Sequence, residues 1–195
     1  ICEGALKIDD LKEYCKKNKT KSVGLSDTYN LSGALEFSEN ISSVGTQPII
    51  GSQILFKFKN NYGLIPLIAK NHDGYQNIIE LSSKSYLENE GNDDPHCFVE
   101  DLIKHSQGII VLSGSINNLI GQLFNKGLFD DLNELIITLN NNFKENFYLE
   151  IQRHDDHNEK QFEIFNLNLS KKYQIPLIAT NEVYYLEKEM HEAHD

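Results

Sequence analysis

Short apolar strands that alternate with amphipathic helices are the feature that most constrains the fold of this chain. Continuous apolar runs occur at residues 108–113, 147–151 and 175–179, and a segment with helical periodicity follows each of them. Strands that are apolar on both faces are typical of parallel sheets covered by helices. This order predicts an α/β fold, and a hairpin inserted among the strands favours a TIM-like barrel over an open doubly wound sheet.

The same patterns predict the bounds of the individual elements. Helices are expected at residues 8–18, 32–42, 73–87, 98–105, 116–125, 129–143, 161–173 and 187–194. Strands are expected at residues 21–25, 48–50, 54–59, 64–69, 108–113, 147–151 and 175–179. Gly51 is expected to break the second strand, and residues 60–63 to form the turn of the hairpin.

Residues 23–37, VGLSDTYNLSGALEF, combine a strand, a polar turn and a helix. In α/β proteins such a junction lies at the carboxyl end of a strand, where functional side chains collect. Asp27 is the most suggestive residue of the turn. Its carboxylate is a candidate metal ligand or general base, and the structural alternative is a helix N-cap or a hydrogen bond within the loop.

Length and charge limit the classes of function. The chain has 195 residues, of which 39% are hydrophobic and 24% charged, as expected for one soluble globular domain. Its formal net charge is -11 and its sequence pI is about 5.1. An acidic surface repels phosphate groups, and Arg153 is the one arginine among 18 basic residues. These totals argue against a module that grips nucleic acid by itself.

Cysteine usage and the absence of long apolar runs indicate a cytoplasmic protein. Cys2, Cys15 and Cys97 are widely spaced and form no CxxC pair, so neither a disulfide framework nor a zinc knuckle is predicted. No apolar run approaches the ~20 residues that a membrane-spanning helix needs. The chain opens with Ile1 and without a signal peptide, which we interpret as the sign of a piece of a longer protein.

Polar side chains follow the predicted strands at their carboxyl ends, which share one face of a barrel. The expected pocket residues on that face are Asp27, Thr28, Ser115, His154, Asn181 and Glu182, with Glu3 entering from a missing first unit. Catalytic centres with two or three metals use more histidines and carboxylates than this. His154 is more commonly a hydrogen-bonded loop residue, and His191 and His194 have helical spacing for a metal but no third ligand. A glycine-rich phosphate loop and a nucleophile elbow are both missing from the sequence.

Ordered segments spread over almost the whole chain carry a family resemblance. They are EGALKIDDL, LSDTYNLSGALEF, QPIIGSQ, LIAKNHDGYQNIIEL, GIIVLSGS, FYLEIQRH and IPLIATNEVYYL, at residues 3–11, 25–37, 47–53, 67–81, 108–115, 147–154 and 175–186. Together they resemble the PHP domain family, in the form that opens the catalytic alpha subunit of bacterial DNA polymerase III. Residues 193–195, AHD, resemble the point where such polymerases leave the PHP domain.

The resemblance implies both a fold and a parent enzyme. The fold would be a distorted TIM-like (β/α) barrel, a single PHP domain over residues 1–195 that lacks its first strand and the His-x-His motif expected before Ile1. The parent would be a replicative DNA polymerase that uses Mg²⁺ and carries its polymerase carboxylates downstream of this chain. The implied partners are the remainder of the alpha subunit and the epsilon proofreading exonuclease, with DNA bound only through the parent, no membrane, and a bacterial cytoplasmic location.

The resemblance also assigns the family's metal ligands to positions of this sequence. Acids are retained at Glu3, Asp27 and Glu182. Neutral side chains stand at the remaining ligand positions: Thr28 where active members have histidine, Gln53 for glutamate, Leu64 for histidine, Ser115 for cysteine and Tyr184 for the last histidine. His154 and Asn181 complete the expected pocket.

Such a donor set predicts a vestigial pocket. Neutral oxygens cannot hold a cluster of divalent cations beside a water that must lose a proton. We therefore expect no catalytic residue and no bound cofactor in this chain, and a domain that scaffolds the polymerase and docks a partner. The alternative is an active metal-dependent phosphoesterase or 3′–5′ exonuclease, which a His-x-His motif before Ile1 would favour.

Overall fold

The computed structural model has an α/β fold over the residues that it describes, which are 6–88, 94–154 and 156–186. The helices are α1 (Ile8–Asn18), α2 (Ala34–Ser42), α3 (His72–Leu87), α4 (Val99–Lys104), α5 (Leu119–Asn125), α6 (Phe129–Phe143) and α7 (Glu159–Tyr173). The strands are β1 (Ser22–Thr28), β2 (Gln47–Phe58), β3 (Asn61–Ala69), β4 (Cys97–Phe98), β5 (Ile109–Leu112), β6 (Phe147–Ile151) and β7 (Leu177–Ala179). Within the described ranges, no helix is both long and apolar enough to cross a membrane.

The strands form a mixed sheet in the order β1-β2-β3-β5-β6-β7, with β4 paired to β2. Strand β3 runs antiparallel to β2 and to β5, whereas β5, β6 and β7 are parallel. The carboxyl ends of these three parallel strands therefore lie at one edge of the sheet. This is the edge where a predicted pocket would form.

The chain divides into two units, and the first comprises Ile1–Leu25, Ser32–Ile50 and Asn181–Asp195. Its core contains the buried side chains Cys15, Phe37 and Ile41. These residues come from the apolar faces of α1 and α2, and β1 supplies further apolar packing. Helix α1 carries acids in its first turn and lysines in its last turn, which matches the helix dipole.

The second unit comprises Ser26–Leu31 and Gly51–Thr180. Its apolar core includes Ile54 and Phe56 of β2, Phe147 and Leu149 of β6, and the buried stripe of α6. Because side chains alternate along a strand, the odd-numbered residues of β2 and the even-numbered residues of β6 lie on the opposite face of the sheet. Gln53 of β2 and Glu150 of β6, described below, have these positions.

The predicted bounds agree with the structure for α1, α6 and β6, and the predicted break at Gly51 is wrong. Strand β2 continues through Gly51, which pairs with Ile68 of β3. A Cβ atom at Gly51 would lie 2.4 Å from the carbonyl oxygen of Leu67. Glycine therefore permits a close approach of the two backbones at this point, and the hairpin connection shortens to Lys59 and Asn60.

Other differences are smaller. Strand β1 extends three residues beyond the predicted end at Leu25, so Ser26, Asp27 and Thr28 belong to the strand. The two-residue strand β4 was not predicted, and the antiparallel strand β3 makes the sheet mixed instead of fully parallel. The helix predicted at residues 187–194 lies outside the described residues.

Candidate functional site

Hydrogen bonds from β2 fix the end of β1 and the loop that follows it. The buried Ser52 hydroxyl donates to the carbonyl oxygens of Asp27 at 2.9 Å and Asn30 at 3.1 Å. The Tyr29 amide donates to the carbonyl oxygen of Gln53 at 2.8 Å. Tyr29 has a φ of 67°, in the left-handed region that a non-glycine residue adopts only when its surroundings impose it. The backbone around Asp27 and Thr28 is thus held rigidly against β2.

Asn118 joins three of the predicted pocket positions. Its amide nitrogen Nδ2 donates to Gln53 Oε1 at 3.1 Å and to the Leu64 carbonyl oxygen at 3.4 Å. Its amide oxygen Oδ1 accepts from the Ser115 hydroxyl at 2.7 Å and from the Ser115 backbone amide at 3.0 Å. We call these four residues the Asn118 hub. It connects β2, β3 and the turn that follows β5.

The Asn118 hub contains no charged side chain, and Asn118 at its centre is buried and fully hydrogen-bonded. Asn118 is 4% exposed, and its side chain uses both donors and both acceptor positions of the amide. Gly114 has a φ of 77°, and a Cβ atom there would lie 2.4 Å from the Asn118 Cβ. The turn therefore closes tightly around Asn118, and Gln53 and Ser115 are already engaged with it.

Asn118 was not among the predicted site residues. The sequence signal was present, since an asparagine before the apolar run Leu119–Asn125 is typical of a helix N-cap, and Asn118 occupies that position of α5. The hydrogen bonds to Gln53 and Leu64 join residues 65 and 54 positions apart in the chain. No local pattern predicts contacts of that range.

A second polar cluster lies at the ends of β6 and β7, and we call it the Glu150 cluster (Ser113, Glu150, Gln152 and Thr180). Glu150, 6% exposed, accepts at Oε1 from Gln152 Nε2 at 2.9 Å and from the Thr180 hydroxyl. The Glu150 backbone amide donates to the buried Ser113 hydroxyl at 2.8 Å. Gln152 Oε1 is buried and has no hydrogen-bond partner among the described residues. Residues 147–154 are one of the segments that carry the family resemblance, but the sequence predicted no role for Glu150 or Gln152.

The loop between β6 and α7 carries His154, which is exposed. The His154 backbone amide donates to both carboxylate oxygens of Glu159, at 3.0 and 2.9 Å. The guanidinium of Arg153 forms a bidentate pair with Glu163, at 3.1 and 2.8 Å, and this hydrogen bonding holds the pKa of Glu163 below its usual value. His154 therefore lies in a loop whose backbone is fixed by Glu159.

The remaining predicted pocket residues belong to the first unit or lie outside the described ranges. Asn181 and Glu182 are exposed, and the Tyr184 hydroxyl donates to Glu182 Oε2 at 3.0 Å. The Tyr184 carbonyl oxygen accepts from the Leu6 amide at 3.0 Å. Glu3, His191 and His194 lie outside the residues that the structure describes.

A cluster of divalent cations does not fit the donors found at the hub. Throughout residues 6–88, 94–154 and 156–186, no group of three or more His, Cys, Asp or Glu side chains is arranged to hold a metal ion. The side chains of Gln53 and Ser115 are neutral and are hydrogen-bonded to Asn118, and Leu64 offers only a backbone oxygen. Burial raises the pKa of Cys97 to about 12, so its thiol is not a thiolate ligand at neutral pH.

Comparisons with known proteins identify relatives over the whole chain. The PHP domain model matches residues 1–154. DNA polymerase III subunit alpha of Caulobacter vibrioides is 32% identical over 203 residues, which cover 100% of this chain and 18% of that protein. The same subunit of Rickettsia felis is 34% identical over 194 residues, which cover 99% of this chain and 16% of that protein. The chain thus spans less than a fifth of the length of these relatives.

A solved structure supports the fold class. A protein of Bifidobacterium adolescentis, described as a metal-dependent phosphoesterase, aligns with a TM-score of 0.61 at 12% sequence identity. The alignment covers 94% of this chain and 84% of that chain. Likeness at this identity concerns the fold alone. With the sheet order above, it confirms the predicted α/β fold of the distorted TIM-like barrel class.

Proposed function

The chain belongs to the PHP domain family, and from this premise we propose that it is the PHP domain of a bacterial DNA polymerase III alpha subunit and no longer hydrolyses phosphate esters. Its role is to scaffold the polymerase and to dock the epsilon proofreading subunit. The relatives carry the name of that subunit, which supports the parent. DNA synthesis, its Mg²⁺ requirement and a cytoplasmic location belong to the proposed parent, since this chain supplies none of the polymerase carboxylates.

The Asn118 hub is the observation that carries the proposal of an inactive pocket. Hydrolysis by a metal centre needs charged or strongly coordinating donors that hold a cation beside a water. At the hub, the oxygens of Gln53 and Ser115 accept from or donate to a neutral amide. A buried amide network of this kind contributes to stability when every group is paired. The hub therefore supports a structural role for Gln53, Leu64 and Ser115.

The alternative is an active metal-dependent phosphoesterase or exonuclease. It draws support from the description of the Bifidobacterium adolescentis protein and from the acid retained at Asp27. Against it stands the donor set, since Asp27 has no histidine or cysteine beside it at Thr28 or Ser115. Neutral oxygens at these two positions add little affinity for a divalent cation.

Metal binding and turnover test the inactive pocket directly. The protein would be titrated with Mn²⁺, Mg²⁺ and Zn²⁺ while its thermal unfolding is followed, and assayed on a phosphodiester and on an oligonucleotide labelled at its 5′ end. A cation present at 100 times its dissociation constant would stabilise the fold by about 2.7 kcal/mol, so its binding would be visible. We expect no shift and no turnover.

The matched control is Asp27→Asn, which keeps the shape of the side chain and removes its charge. If the proposal is right, the unsubstituted chain and the variant behave alike with every cation. Stoichiometric metal together with hydrolysis that Asp27→Asn abolishes would establish the alternative. Docking is tested separately, by co-elution of the protein with purified epsilon subunit; failure to co-elute would remove the docking role and leave the inactive pocket standing.

A further inference from the structure

An exposed cluster of rings surrounds Lys57 on the β2–β3 hairpin. Lys57 lies opposite Tyr62 across the hairpin and opposite Phe98 across the β2–β4 pair. Its ammonium nitrogen is 5.0 Å from the centre of the Tyr62 ring and 5.7 Å from the centre of the Phe98 ring. The His96 ring packs edge-on against both rings, at 5.1 and 5.8 Å between centres. We call these four residues the aromatic clamp.

The aromatic clamp is fixed in place but open to solvent. His96 is buried, and it supports Tyr62 and Phe98 from behind. The backbone amide of Phe98 donates to the Asp101 carboxylate at 3.0 Å, which anchors the start of α4. Tyr62 is nevertheless 37% exposed and Phe98 49% exposed. The two rings are therefore ordered and partly exposed, and a ligand that stacks on them has to displace the Lys57 ammonium from their faces.

Lys57 differs from those cations of the second unit that pair with acids. Lys59 binds two carboxylates, and Arg153 binds one. Lys57 has no carboxylate within ion-pair distance among the described residues and contacts the two rings instead. In a chain with a net charge of -11, Lys57 is a local positive charge whose contacts among the described residues are with rings and not with acids. It is available to an anionic group that approaches the rings.

We propose that the aromatic clamp binds single-stranded nucleic acid, with a base stacked on Tyr62 or Phe98 and the Lys57 ammonium on a phosphate. Stacking of a base on an aromatic side chain is worth about 1–3 kcal/mol and tolerates any base, because every base has a flat π-face. Lys57 moves from the space between the rings to the phosphate, and the base takes that space. This activity goes beyond the scaffold role, and neither depends on the other.

The ring geometry favours nucleic acid over an acidic protein segment. A carboxylate-rich peptide would use the charge of Lys57 but not the flat faces of the two rings. The acidic surface of the chain repels both ligands, so the binding energy has to come mainly from stacking. The clamp therefore makes few phosphate contacts, and we expect a weak dependence of affinity on salt.

Fluorescence anisotropy with a labelled oligothymidylate tests the proposal on the full chain. Phe98→Ala should weaken binding by at least about 10-fold, which corresponds to the loss of one stacked base. The matched control is Phe129→Ala, because Phe129 is 47% exposed but lies at the start of α6, outside the clamp. Lys57→Gln should weaken binding and flatten the plot of log affinity against log salt by about 0.7.

A second variant separates stacking from folding. Phe98→Leu keeps an apolar side chain of similar size without a ring, and urea unfolding would establish that both Phe98 variants remain folded. The proposal is overturned if the unsubstituted chain does not bind the oligothymidylate. It is also overturned if Phe129→Ala weakens binding as much as Phe98→Ala does, or if Phe98→Leu binds as tightly as the unsubstituted chain. Displacement of the oligothymidylate by polyglutamate at lower concentration than by unlabelled oligothymidylate would assign the clamp to an acidic peptide. None of these outcomes bears on the metal titrations, which report on the inactive pocket.

Discussion

The Asn118 hub and the Glu150 cluster are two polar clusters in the second unit, each with a buried side chain at its centre, and they are built differently. The hub contains no ionisable side chain, and the amide of Asn118 makes every hydrogen bond that it can make. The Glu150 cluster keeps a carboxyl group, and Gln152 Oε1 has no partner among the described residues. The amide of the neutral cluster is fully hydrogen-bonded, whereas the cluster that contains a carboxyl group includes a buried oxygen without a partner among the described residues.

The difference has an energetic meaning. A buried polar group costs about 1–3 kcal/mol when its hydrogen bond is missing, whereas a complete network strengthens each of its members. The Asn118 hub should therefore contribute more to stability than the Glu150 cluster does. Asn118→Ala and Gln152→Leu compare the two clusters directly, and all the measurements below follow in order of expected effect.

Asn118→Ala should have the largest effect, a loss of about 3 kcal/mol in the free energy of unfolding. The substitution leaves Gln53 Oε1, the Leu64 carbonyl and the Ser115 amide without the partner that they have in the hub. Urea unfolding measures the loss. The matched control is Asn117→Ala, since Asn117 is exposed and its side chain hydrogen-bonds, among the described residues, to Asp156 alone, so a change below about 0.5 kcal/mol is expected. Equal losses in the free energy of unfolding would show that the hub contributes no more to stability than an exposed asparagine does.

Alkylation of Cys97 gives an independent measure of the stability that Asn118→Ala removes. The thiol is buried, donates to the Leu81 carbonyl at 3.2 Å, and has its pKa raised to about 12 by burial, so iodoacetamide should react only after opening. If Asn118→Ala costs about 3 kcal/mol, site-resolved mass spectrometry should find labelling about 100-fold faster than in the parent chain. Rapid labelling of Cys97 in the folded parent chain would contradict this picture.

The same pKa shift sets a dependence of stability on pH. The folded state favours the neutral thiol, so its contribution is complete below pH 9, the ordinary pKa of a cysteine, and is lost as the pH rises from 9 towards 12. A Cys97→Ser variant should lack this part of the alkaline decline. Identical pH profiles for the variant and the parent chain would argue against the shift.

Gln152→Leu should cost less, about 1 kcal/mol or below. The variant loses the hydrogen bonds from Nε2 to Glu150 and Thr180, but it also removes a buried oxygen that no described residue contacts by hydrogen bonding. Urea unfolding alongside Asn118→Ala compares the two clusters on one scale. A loss as large as that of Asn118→Ala would reverse their ranking.

Arg153→Gln should have the smallest effect, which is visible in a titration. Hydrogen bonding to Arg153 holds the pKa of Glu163 below its usual value, and without the guanidinium this pKa should rise. Stability from this pair is present above pH 4.5 and is lost as the pH falls through the lowered pKa; because Arg153 is exposed and solvent screens the pair, the change in stability should be slight. NMR titration of the Glu163 carboxyl measures the shift, and an unchanged titration midpoint would exclude the pairing in solution.

Local sequence patterns predicted the elements well where short-range physics decides them. Strand β6 and helix α6 have the predicted bounds, because their apolar residues recur with the periods of a strand and a helix. Gly51 failed as a predicted break because its role is set by the neighbouring strand, whose Leu67 carbonyl leaves no room for a side chain. A glycine within a strand can mark either a break in the strand or a close approach of another backbone, and only the tertiary contact distinguishes the two cases.

The site was predictable only in part. The resemblance assigned Gln53, Leu64 and Ser115 to one pocket, and the structure brings these three together around Asn118. It could not supply Asn118 itself, whose local pattern indicates a helix cap and nothing more. Glu150 was missed for a related reason: it lies within the strand Phe147–Ile151, and its burial depends on the pairing of β6 with β7.

The hub also orders events in time. Its bonds close chain loops of 65 and 54 residues, and long loops are entropically slower to close than the neighbouring turns of a hairpin or a helix. The strands that meet there have to be assembled before one asparagine can bridge them. We therefore expect the hydrogen bonds of the hub to form late in folding, after the transition state. Stopped-flow measurements on Asn118→Ala should accordingly find faster unfolding with an almost unchanged refolding rate.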